Sequence, residues 1–262
     1  EEDRRVRYAT ILSTKNGREG MTFAEAYEKM FDRNCFGMMM VETGDADAFI
    51  TGIYSRYTET ISTAKQVIGI REGFDHFGAM HIVTNPKGTF FLADTLINRH
   101  PDTNVLVDIA RLTHDAVKFF AHDPVMAMVS YSNFGADQIG SPAHVHDAVN
   151  YLHDIHPEMV VDGEMQVNFA LNRELRDMMY PFSKLNGKDV NTLVFPNLSS
   201  ANSAYKLLQE MGGSEIIGPI QMGLKKPIHF TDIESSVRDI FNLTAVAVVD
   251  AIVQAQIENK KA

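Results

Sequence analysis

The chain has 262 residues, of which 45% are hydrophobic and 22% are charged, and this composition is typical of a globular protein rather than a disordered one. A chain of this length forms one large domain or two small ones. Its formal net charge of −10 argues against nucleic-acid binding, because no basic surplus is present to neutralise phosphates. Anionic small ligands are not excluded, since they need only a local positive pocket or a helix N-terminus.

Cysteine content and the N-terminus predict a cytoplasmic location. Cys35 is the only cysteine in the sequence, so no intrachain disulfide can form, which fits a reducing compartment. No apolar run approaches the roughly 20 residues of a membrane span. The N-terminal EEDRRVRY has neither an initiator Met nor the apolar region of a signal peptide, and we expect it to begin a piece of a longer polypeptide.

Short apolar runs and turn residues predict the first elements. The stretch FGMMMVETGDADAFITG predicts a helix end, a short strand, a Gly-Asp turn and a further strand at 48–51. Strands at 80–84 and 89–93 flank the turn Asn85-Pro-Lys-Gly88, which indicates an antiparallel hairpin. Helical spacing of apolar residues then predicts a helix at 104–121.

Strands and helices alternate from residue 125 onward, which is the pattern of a doubly wound α/β unit with a parallel sheet. Strands are predicted at 125–130, 159–162 and 191–195, and helices at 141–153, 200–211 and about 236–257. Ser141 is the expected N-cap of its helix, with Pro142 at the first helical position. Ligands bind outside the carboxyl ends of such strands, which makes the loops 131–135, 163–166 and 196–202 candidates.

The run GPIQMGLKKPIHFTDIESSVRD, residues 218–239, resembles the active-site segment of the phosphate acetyl/butyryltransferases. That segment reads roughly GP-x-x-x-G-x-x-KPV-N-D-L-S-R-G, followed by a helix. The reactive Ser-Arg pair of the family is replaced by Asp232 and Ile233. The frame of the segment is kept at Gly218, Pro219, Gly223, Lys226, Pro227 and Asp239.

Five further segments resemble this family in the same order along the chain. They are GDADAFITG (44–52), TFFLADTLIN (89–98), VSYSNFG (129–135), VDGEMQVNFAL (161–171) and VFPNLSSANSAYKLLQEMGG (194–213). Details such as SNFG, VDGEMQ and KP-x-H resemble one branch, the acetyltransferase-like C-terminal domain of large bacterial NADP-dependent malic enzymes.

The resemblance implies a two-lobed α/β fold, related to the isocitrate/isopropylmalate dehydrogenase-like fold, with central, mostly parallel sheets. The first lobe is expected to comprise 1–71 and 218–262, and the second lobe 72–217. The first lobe would be N-terminally incomplete, because the family has about two further β-α units before this point. A cleft between the lobes is expected to take acetyl-CoA. A homodimer through the last helix is expected, with a higher oligomer in the full-length protein.

The malic-enzyme branch implies a regulatory function. In those enzymes malate is oxidised in an N-terminal region, and the C-terminal domain is thought to sense acetyl-CoA. This chain has no G-x-G-x-x-G fingerprint, so NADP and a divalent metal are expected only in a malic-enzyme region outside it. We therefore predict a catalytically inactive domain that binds acetyl-CoA and regulates malic enzyme allosterically. The alternatives are an active phosphate acetyltransferase and a ligand-free oligomerisation module.

Catalysis is not expected because charge-stabilising positions have changed. Loss of one such donor typically lowers a rate by about 10²–10³-fold. A second family arginine aligns with Ser62, where Arg56 is a nearby substitute. Asp239 matches the aspartate proposed as base for the CoA thiol, but Ser236-Val-Arg-Asp239 also has the spacing of a capping box. We favour the cap.

The acetyl-CoA-binding residues predicted from the resemblance are Ser130, Ser132, Asn133, Asn202, Tyr205, Pro219, Gly223, Lys225, Lys226 and Arg56. The two lysines and the Gly-containing turn are candidates for the CoA phosphates, and small polar residues at a strand end for acyl or phosphate oxygens. The alternatives are a solvated lysine pair, a turn that satisfies its own backbone, and a core aromatic at Tyr205.

Two further sets of polar residues have both a functional and a structural interpretation. Asp162, Glu164 and Gln166 are candidates for the same site, or for capping loops. Among the densest histidines, His146 and His153 are too far apart along a helix to share a zinc ion, and His153 and His156 have i,i+3 spacing but Pro157 ends the helix there. No metal site is therefore predicted, and a solvated polar face is favoured for them. These histidines are His144, His146, His153 and His156.

Overall fold

The structure is a computed structural model that describes residues 1–52, 57–231 and 233–261. In chain order its elements are α1 Glu2–Lys15, a 3-10 helix Gly17–Glu19, α2 Phe23–Lys29, α3 Arg33–Glu42, β1 Phe49–Thr51, α4 Tyr57–Val67, β2 Gly78–Asn85, β3 Gly88–Ala93, α5 Thr103–Phe119, β4 Val125–Val129, α6 Ser141–Ile155, β5 Val160–Met165, α7 Val167–Leu171, α8 Arg173–Met179, β6 Thr192–Val194, α9 Leu198–Met211, β7 Glu215–Met222, β8 Ile228–Phe230 and α10 Val237–Lys261.

The chain forms two units. The first contains Glu1–Gly73 and Leu224–Ala262, and the second contains Phe74–Gly223. Residues 218–223, which the sequence placed in the first lobe, belong to the second unit because β7 pairs along its length with β2. Two residues of interest, Arg56 and Asp232, lie outside the described residues.

The second unit is built on a six-stranded sheet in the order β5-β4-β6-β3-β2-β7. Five strands run in one direction, and β2 is antiparallel to both of its neighbours. This confirms the predicted α/β fold with a mostly parallel sheet. The predicted hairpin is also confirmed, with Met80 opposite Ala93 in β2 and β3. The Asn85 side chain accepts a hydrogen bond from the Lys87 amide in the connecting turn, at 2.8 Å.

The sheet brings the carboxyl ends of β3, β4, β5, β6 and β7 to one edge. From β4 the chain continues outward to β5, whereas from β6 it continues to β7 at the opposite end of the sheet. The adjacent strands β4 and β6 therefore form a topological switch point, where ligands bind in doubly wound folds. Helices α5 and α6 contact each other and this sheet. A separate core cluster buries Val129, Leu193, Ala201 and Tyr205, among others.

Two local predictions need correction. Residues 38–42 belong to α3 rather than to a strand, since the Asp32 side chain caps this helix and Met38, Met39 and Val41 are buried along it. Ser141 is the first residue of α6, not its N-cap. The N-cap is Gly140, whose φ of 66° favours a residue without a Cβ.

In the first unit, β1 and β8 pair in parallel, with Ile50 opposite His229. Helix α10 contacts both strands. Gly52 is required where β1 ends, because a Cβ at this position would lie 1.9 Å from the Thr231 carbonyl oxygen. Across both units, no helix within the described ranges has the length and apolarity needed to cross a membrane.

Candidate functional site

The loop after β4 is organised around Glu164, a fully buried residue of the neighbouring strand β5. Glu164 Oε1 accepts hydrogen bonds from the Ser132 hydroxyl at 3.1 Å and from the Gly135 amide at 2.7 Å. Its main-chain oxygen accepts from the Phe134 amide at 2.8 Å. Its Oε2 lies 3.2 Å from Nδ1 of His146 on α6. The loop is thus tied to one side chain at the sheet edge where ligands are expected.

The three predicted polar residues of this loop have different tasks. Ser132 is buried, and its hydroxyl donates to Glu164 while it accepts from the Asp137 amide at 3.0 Å. Ser130 Oγ accepts only from the Ser132 amide, at 3.3 Å, and Asn133 Oδ1 accepts from the Gln166 amide, at 2.9 Å. Within the described residues, the Ser130 hydroxyl proton and Asn133 Nδ2 have no acceptor. They are therefore the donors that a ligand could use.

Asp162 and Gln166 stabilise loops of the second unit. Asp162 Oδ2 accepts from the Ser183 hydroxyl and from the Lys184 amide, both at 2.7 Å. Gln166 Nε2 donates to the Tyr131 carbonyl oxygen at 2.6 Å. These contacts agree with the alternative in which strand-end polar residues cap loops, here loops that are distant in sequence.

Asn202 and Tyr205 lie in the first two turns of α9, after β6. Asn202 Nδ2 is 3.5 Å from both the Thr95 carbonyl oxygen and the Tyr205 hydroxyl oxygen. Tyr205 is 5% exposed, and its ring stacks on His81 with centroids 4.1 Å apart. This agrees with the core-aromatic alternative for Tyr205. Asn202, which is half-buried, is the more accessible of the two.

His81 was not predicted, because a single histidine in an apolar strand carries no sequence signal of a role. Its Nδ1 is 2.8 Å from the Thr95 hydroxyl oxygen, which itself donates to the Ala79 carbonyl oxygen at 3.2 Å. Burial, with a smaller contribution from Lys206, lowers the pKa of His81 to about 3. The imidazole is therefore neutral at pH 7 and donates through Nδ1 to Thr95.

The loop after β3 is held by Asp94, which is buried at the end of that strand. Its carboxylate accepts from the amides of Ala79, Leu96, Ile97 and Asn98. Burial raises the pKa of Asp94, and the hydrogen bonds from Ala79 and Asn98 oppose this change. The result is a rigid turn that positions Thr95 beside His81.

Two of the histidines predicted on a solvated face instead make specific contacts. His146 reaches Glu164, and His153 Nε2 lies 2.8 Å from the Val161 carbonyl oxygen. The spacing of these histidines on α6 does not reveal which side chains pack against β5. No group of three His, Cys, Asp or Glu residues in the described ranges could hold a metal ion.

The frame residues 218–223 have packing roles within the second unit. A Cβ at Gly218 would lie 2.6 Å from His81 Cδ2, and one at Gly223 would lie 2.8 Å from Leu112 Cδ1. Pro219 is buried in β7, an edge strand, where the missing amide proton of proline is tolerated. These positions bring the chain close to its neighbours, whether or not a ligand binds.

The two predicted lysines belong to the first unit. Lys225 is exposed, and its amide donates to the Gly69 carbonyl oxygen at 3.1 Å. Lys226 is half-buried. Arg56, the third predicted cation, lies outside the described residues.

The capping box predicted at the start of α10 is present. The Ser236 amide and hydroxyl donate to Asp239 Oδ2 at 2.8 and 2.7 Å, and the Asp239 amide is 3.2 Å from Ser236 Oγ. The retained Asp239 therefore has a structural partner, Ser236, three residues away. Ile233, at one of the two changed positions, is 83% exposed.

The fold and its strand-end loops define the phosphotransacetylase class of α/β proteins. A phosphotransacetylase structure from Streptococcus pyogenes superposes with a TM-score of 0.86 at 30% identity, covering 95% of this chain and 75% of that one. A family profile described as "Phosphate acetyl/butaryl transferase" matches residues 1–248. The chain belongs to the phosphate acetyl/butaryl transferase family.

Relatives of two kinds are similar to this chain. The NADP-dependent malic enzyme of Escherichia coli is 36% identical over 239 residues, which are 90% of this chain and 31% of that protein. The phosphate acetyltransferase of Bacillus subtilis is 31% identical over 231 residues, or 88% of this chain and 71% of that protein. The chain thus spans about a third of the malic enzymes that it matches. The predicted resemblance to both is confirmed.

Proposed function

We propose that this domain binds acetyl-CoA as an effector, does not transfer the acetyl group, and regulates a malic-enzyme region of the same cytoplasmic polypeptide. The observation that carries the proposal is Ile233, an exposed alkyl side chain at one position of the family's reactive Ser-Arg pair. An alkyl group can neither donate a hydrogen bond nor stabilise charge that develops on an acyl phosphate. The scaffold around it is kept, which supports recognition without turnover.

The second unit supplies the polar contacts for the acyl end of the ligand. Ser130 and Asn133 each retain a donor at the switch point of the sheet, and Asn202 follows the adjacent strand β6. Lys225 and Lys226 are the predicted contacts for the CoA phosphates. NADP and the divalent metal would bind only in the malic-enzyme region.

The proposal includes a homodimer through α10. Leu243 and Ala247 are buried on one face of this helix, whereas Phe241, Val248 and Ile252 lie on the far side and are 72%, 50% and 52% exposed. A helix that is apolar on opposite faces is stable in water only when both are covered. A second copy would cover the exposed face with an identical apolar stripe, the self-complementary arrangement of a two-fold dimer.

Regulation of malic enzyme follows from fusion, which the malic-enzyme relatives support through the share of their length that this chain spans. An effector that binds one state of this domain more tightly shifts the attached enzyme by the same coupling free energy, typically about 1–3 kcal/mol. We expect acetyl-CoA to change the affinity of the full polypeptide for malate by about 5–150-fold.

Active transfer is the second candidate, favoured by the 31% identity to the Bacillus subtilis phosphate acetyltransferase over 88% of this chain. Two assays on the purified chain separate the candidates. We expect isothermal titration calorimetry to detect acetyl-CoA binding, and no CoA acetylation when acetyl phosphate and CoA are supplied. Turnover at the rate of a phosphate acetyltransferase would refute the regulatory proposal. Absence of both heat and turnover would leave the oligomerisation module.

A further inference from the structure

We infer that Glu164 is the positioning residue of the acetyl-CoA site. Its buried carboxylate holds the loop after β4 in the shape that leaves the Ser130 hydroxyl and the Asn133 amide free for ligand. The inference rests on the proposed function, because it assigns a task within that site.

The contacts of Glu164 converge on a short stretch of the loop. Residues 132, 134 and 135 each donate one hydrogen bond to Glu164, two to Oε1 and one to the main-chain oxygen. A carboxylate that accepts from an N–H group forms a shorter and stronger hydrogen bond than a neutral acceptor does. One buried side chain therefore determines the path of the turn between Ser132 and Gly135.

The backbone of that turn needs such a restraint. Phe134 has a φ of 47° and Gly135 a φ of 83°, so two successive residues adopt the left-handed region. Glycine adopts this region freely, but a residue with a Cβ does so only where its surroundings hold it there. Phe134 is also packed against Tyr180 and Phe182, with ring centroids 4.7 and 5.0 Å away. The Glu164 contacts and this packing together retain the strained conformation.

Glu164 itself is not available to a ligand. It is fully buried, and its second oxygen lies within hydrogen-bond distance of His146 Nδ1. A buried carboxylate is costly unless it is paired and hydrogen-bonded, and here both oxygens have partners. Ser132 is likewise occupied, because a hydroxyl has one proton and Ser132 donates its proton to Glu164. Within this loop, direct contact with acetyl-CoA is therefore left to Ser130 and Asn133.

A neighbouring residue provides a matched control. Asp162 is also a buried acid of β5, and it accepts three hydrogen bonds, but two of its donors belong to residues 183 and 184 rather than to the loop after β4. Asp162→Leu and Glu164→Leu both remove a buried, hydrogen-bonded carboxylate from the same strand. Only Glu164→Leu releases the loop.

The test measures acetyl-CoA affinity by calorimetry and amide hydrogen exchange in the loop. We expect Glu164→Leu to weaken acetyl-CoA binding about tenfold or more, because the hydrogen bonds from Ser132 and Gly135 that hold the loop are lost. Exchange at Gly135 and Asp137 should rise with it. Asp162→Leu should lower the melting temperature but keep the wild-type affinity. Glu164→Gln should bind within about threefold of wild type, because the amide oxygen can still accept from Ser132 and Gly135.

Ser132→Ala serves if Glu164→Leu does not fold. It removes two hydrogen bonds, the one to Glu164 and the one from the Asp137 amide, so it should weaken binding by several-fold and expose the Asp137 amide to exchange. Wild-type affinity in Glu164→Leu or in Ser132→Ala, or an equal loss in Asp162→Leu, would overturn the inference. If the wild-type chain binds no acetyl-CoA, the proposed function fails, whereas loop exchange in Glu164→Leu still reports whether Glu164 holds the loop.

Discussion

Replacing Asp239 with alanine distinguishes a helix cap from a catalytic base. The substitution removes the acceptor for the Ser236 amide and hydroxyl at the start of α10. An intramolecular hydrogen bond contributes about 0.5–1.5 kcal/mol, and a carboxylate in the first turn of a helix about 0.3–1 kcal/mol. Because the hydrogen bonds between Ser236 and Asp239 are exposed to solvent, we take the lower part of each range. The expected loss of unfolding free energy is about 1–2 kcal/mol.

For a chain of this size that loss corresponds to a fall in melting temperature of about 2–6 °C. Differential scanning calorimetry should detect it, with Glu210→Ala, an exposed acid on α9, as the control expected to stay near wild type. Ser236→Ala should cost a similar amount. The double variant should cost less than the sum, because both changes break the same pair of reciprocal contacts.

Two results would refute the reasoning. Additive losses in the double variant would show that the two side chains act independently rather than as a capping box. An acetyl phosphate-dependent activity in the wild-type chain that disappears in Asp239→Ala without a change in stability would assign the residue to catalysis.

The remaining predictions concern pH, backbone space and assembly. His81 and His229 have folded-state pKa values of about 3 and about 4, both lowered by burial from an unfolded value near 6.5, so the unfolded chain binds protons first as pH falls. Stability is therefore retained above about pH 6.5 and lost toward pH 4, by up to ~1.4 kcal/mol per pH unit per histidine. Urea titrations at pH 7 and pH 4.5 measure this, and a His81→Phe variant with an unchanged pH dependence would contradict it. Gly218→Ala should lower the unfolding free energy by about 2 kcal/mol or more, because its Cβ would meet His81 Cδ2 at 2.6 Å on a φ of 149°; a stable variant in urea titration would count against the close approach. Phe241→Glu should shift a dimer to monomer in analytical ultracentrifugation, because it places a charge on the 72% exposed side chain of the proposed interface. A dimer that persists would exclude α10 as the interface.

Local sequence chemistry predicted most elements of the second unit. The Asn85–Gly88 turn, the apolar strand Val125–Val129 and the glycine after α9 each depend on the preferences of a few adjacent residues, and these do not need the rest of the fold. The Ser236–Asp239 cap was predictable for the same reason, because both partners lie within one helical turn. The start of α6 was predicted wrongly because two adjacent residues could each be its N-cap. Gly140, with a positive φ, takes that position, and Ser141 is the first helical residue.

The candidate site was predictable only in part. Strand alternation predicted which loops share the sheet edge, and this position together with the family resemblance made Ser130, Asn133 and Asn202 candidates for ligand contact. The sequence could not show that Ser132 is already occupied by Glu164, or that Tyr205 stacks on His81, since those partners are 32 and 124 residues apart. Contacts at such separations depend on strand order and on which face of each strand is buried.

The sequence by itself determined the family, the α/β class, the loops that are candidates for the site and the replacement of the family's Ser-Arg pair by Asp232 and Ile233. Those features reside in residue identity and short-range spacing. Only the tertiary structure decided which polar groups remain free, because a donor is available to a ligand only after the fold has satisfied its neighbours. Two serines and an asparagine that look equivalent in SYSN thus divide into Ser132, which holds the loop, and Ser130 and Asn133, which keep a donor for the ligand.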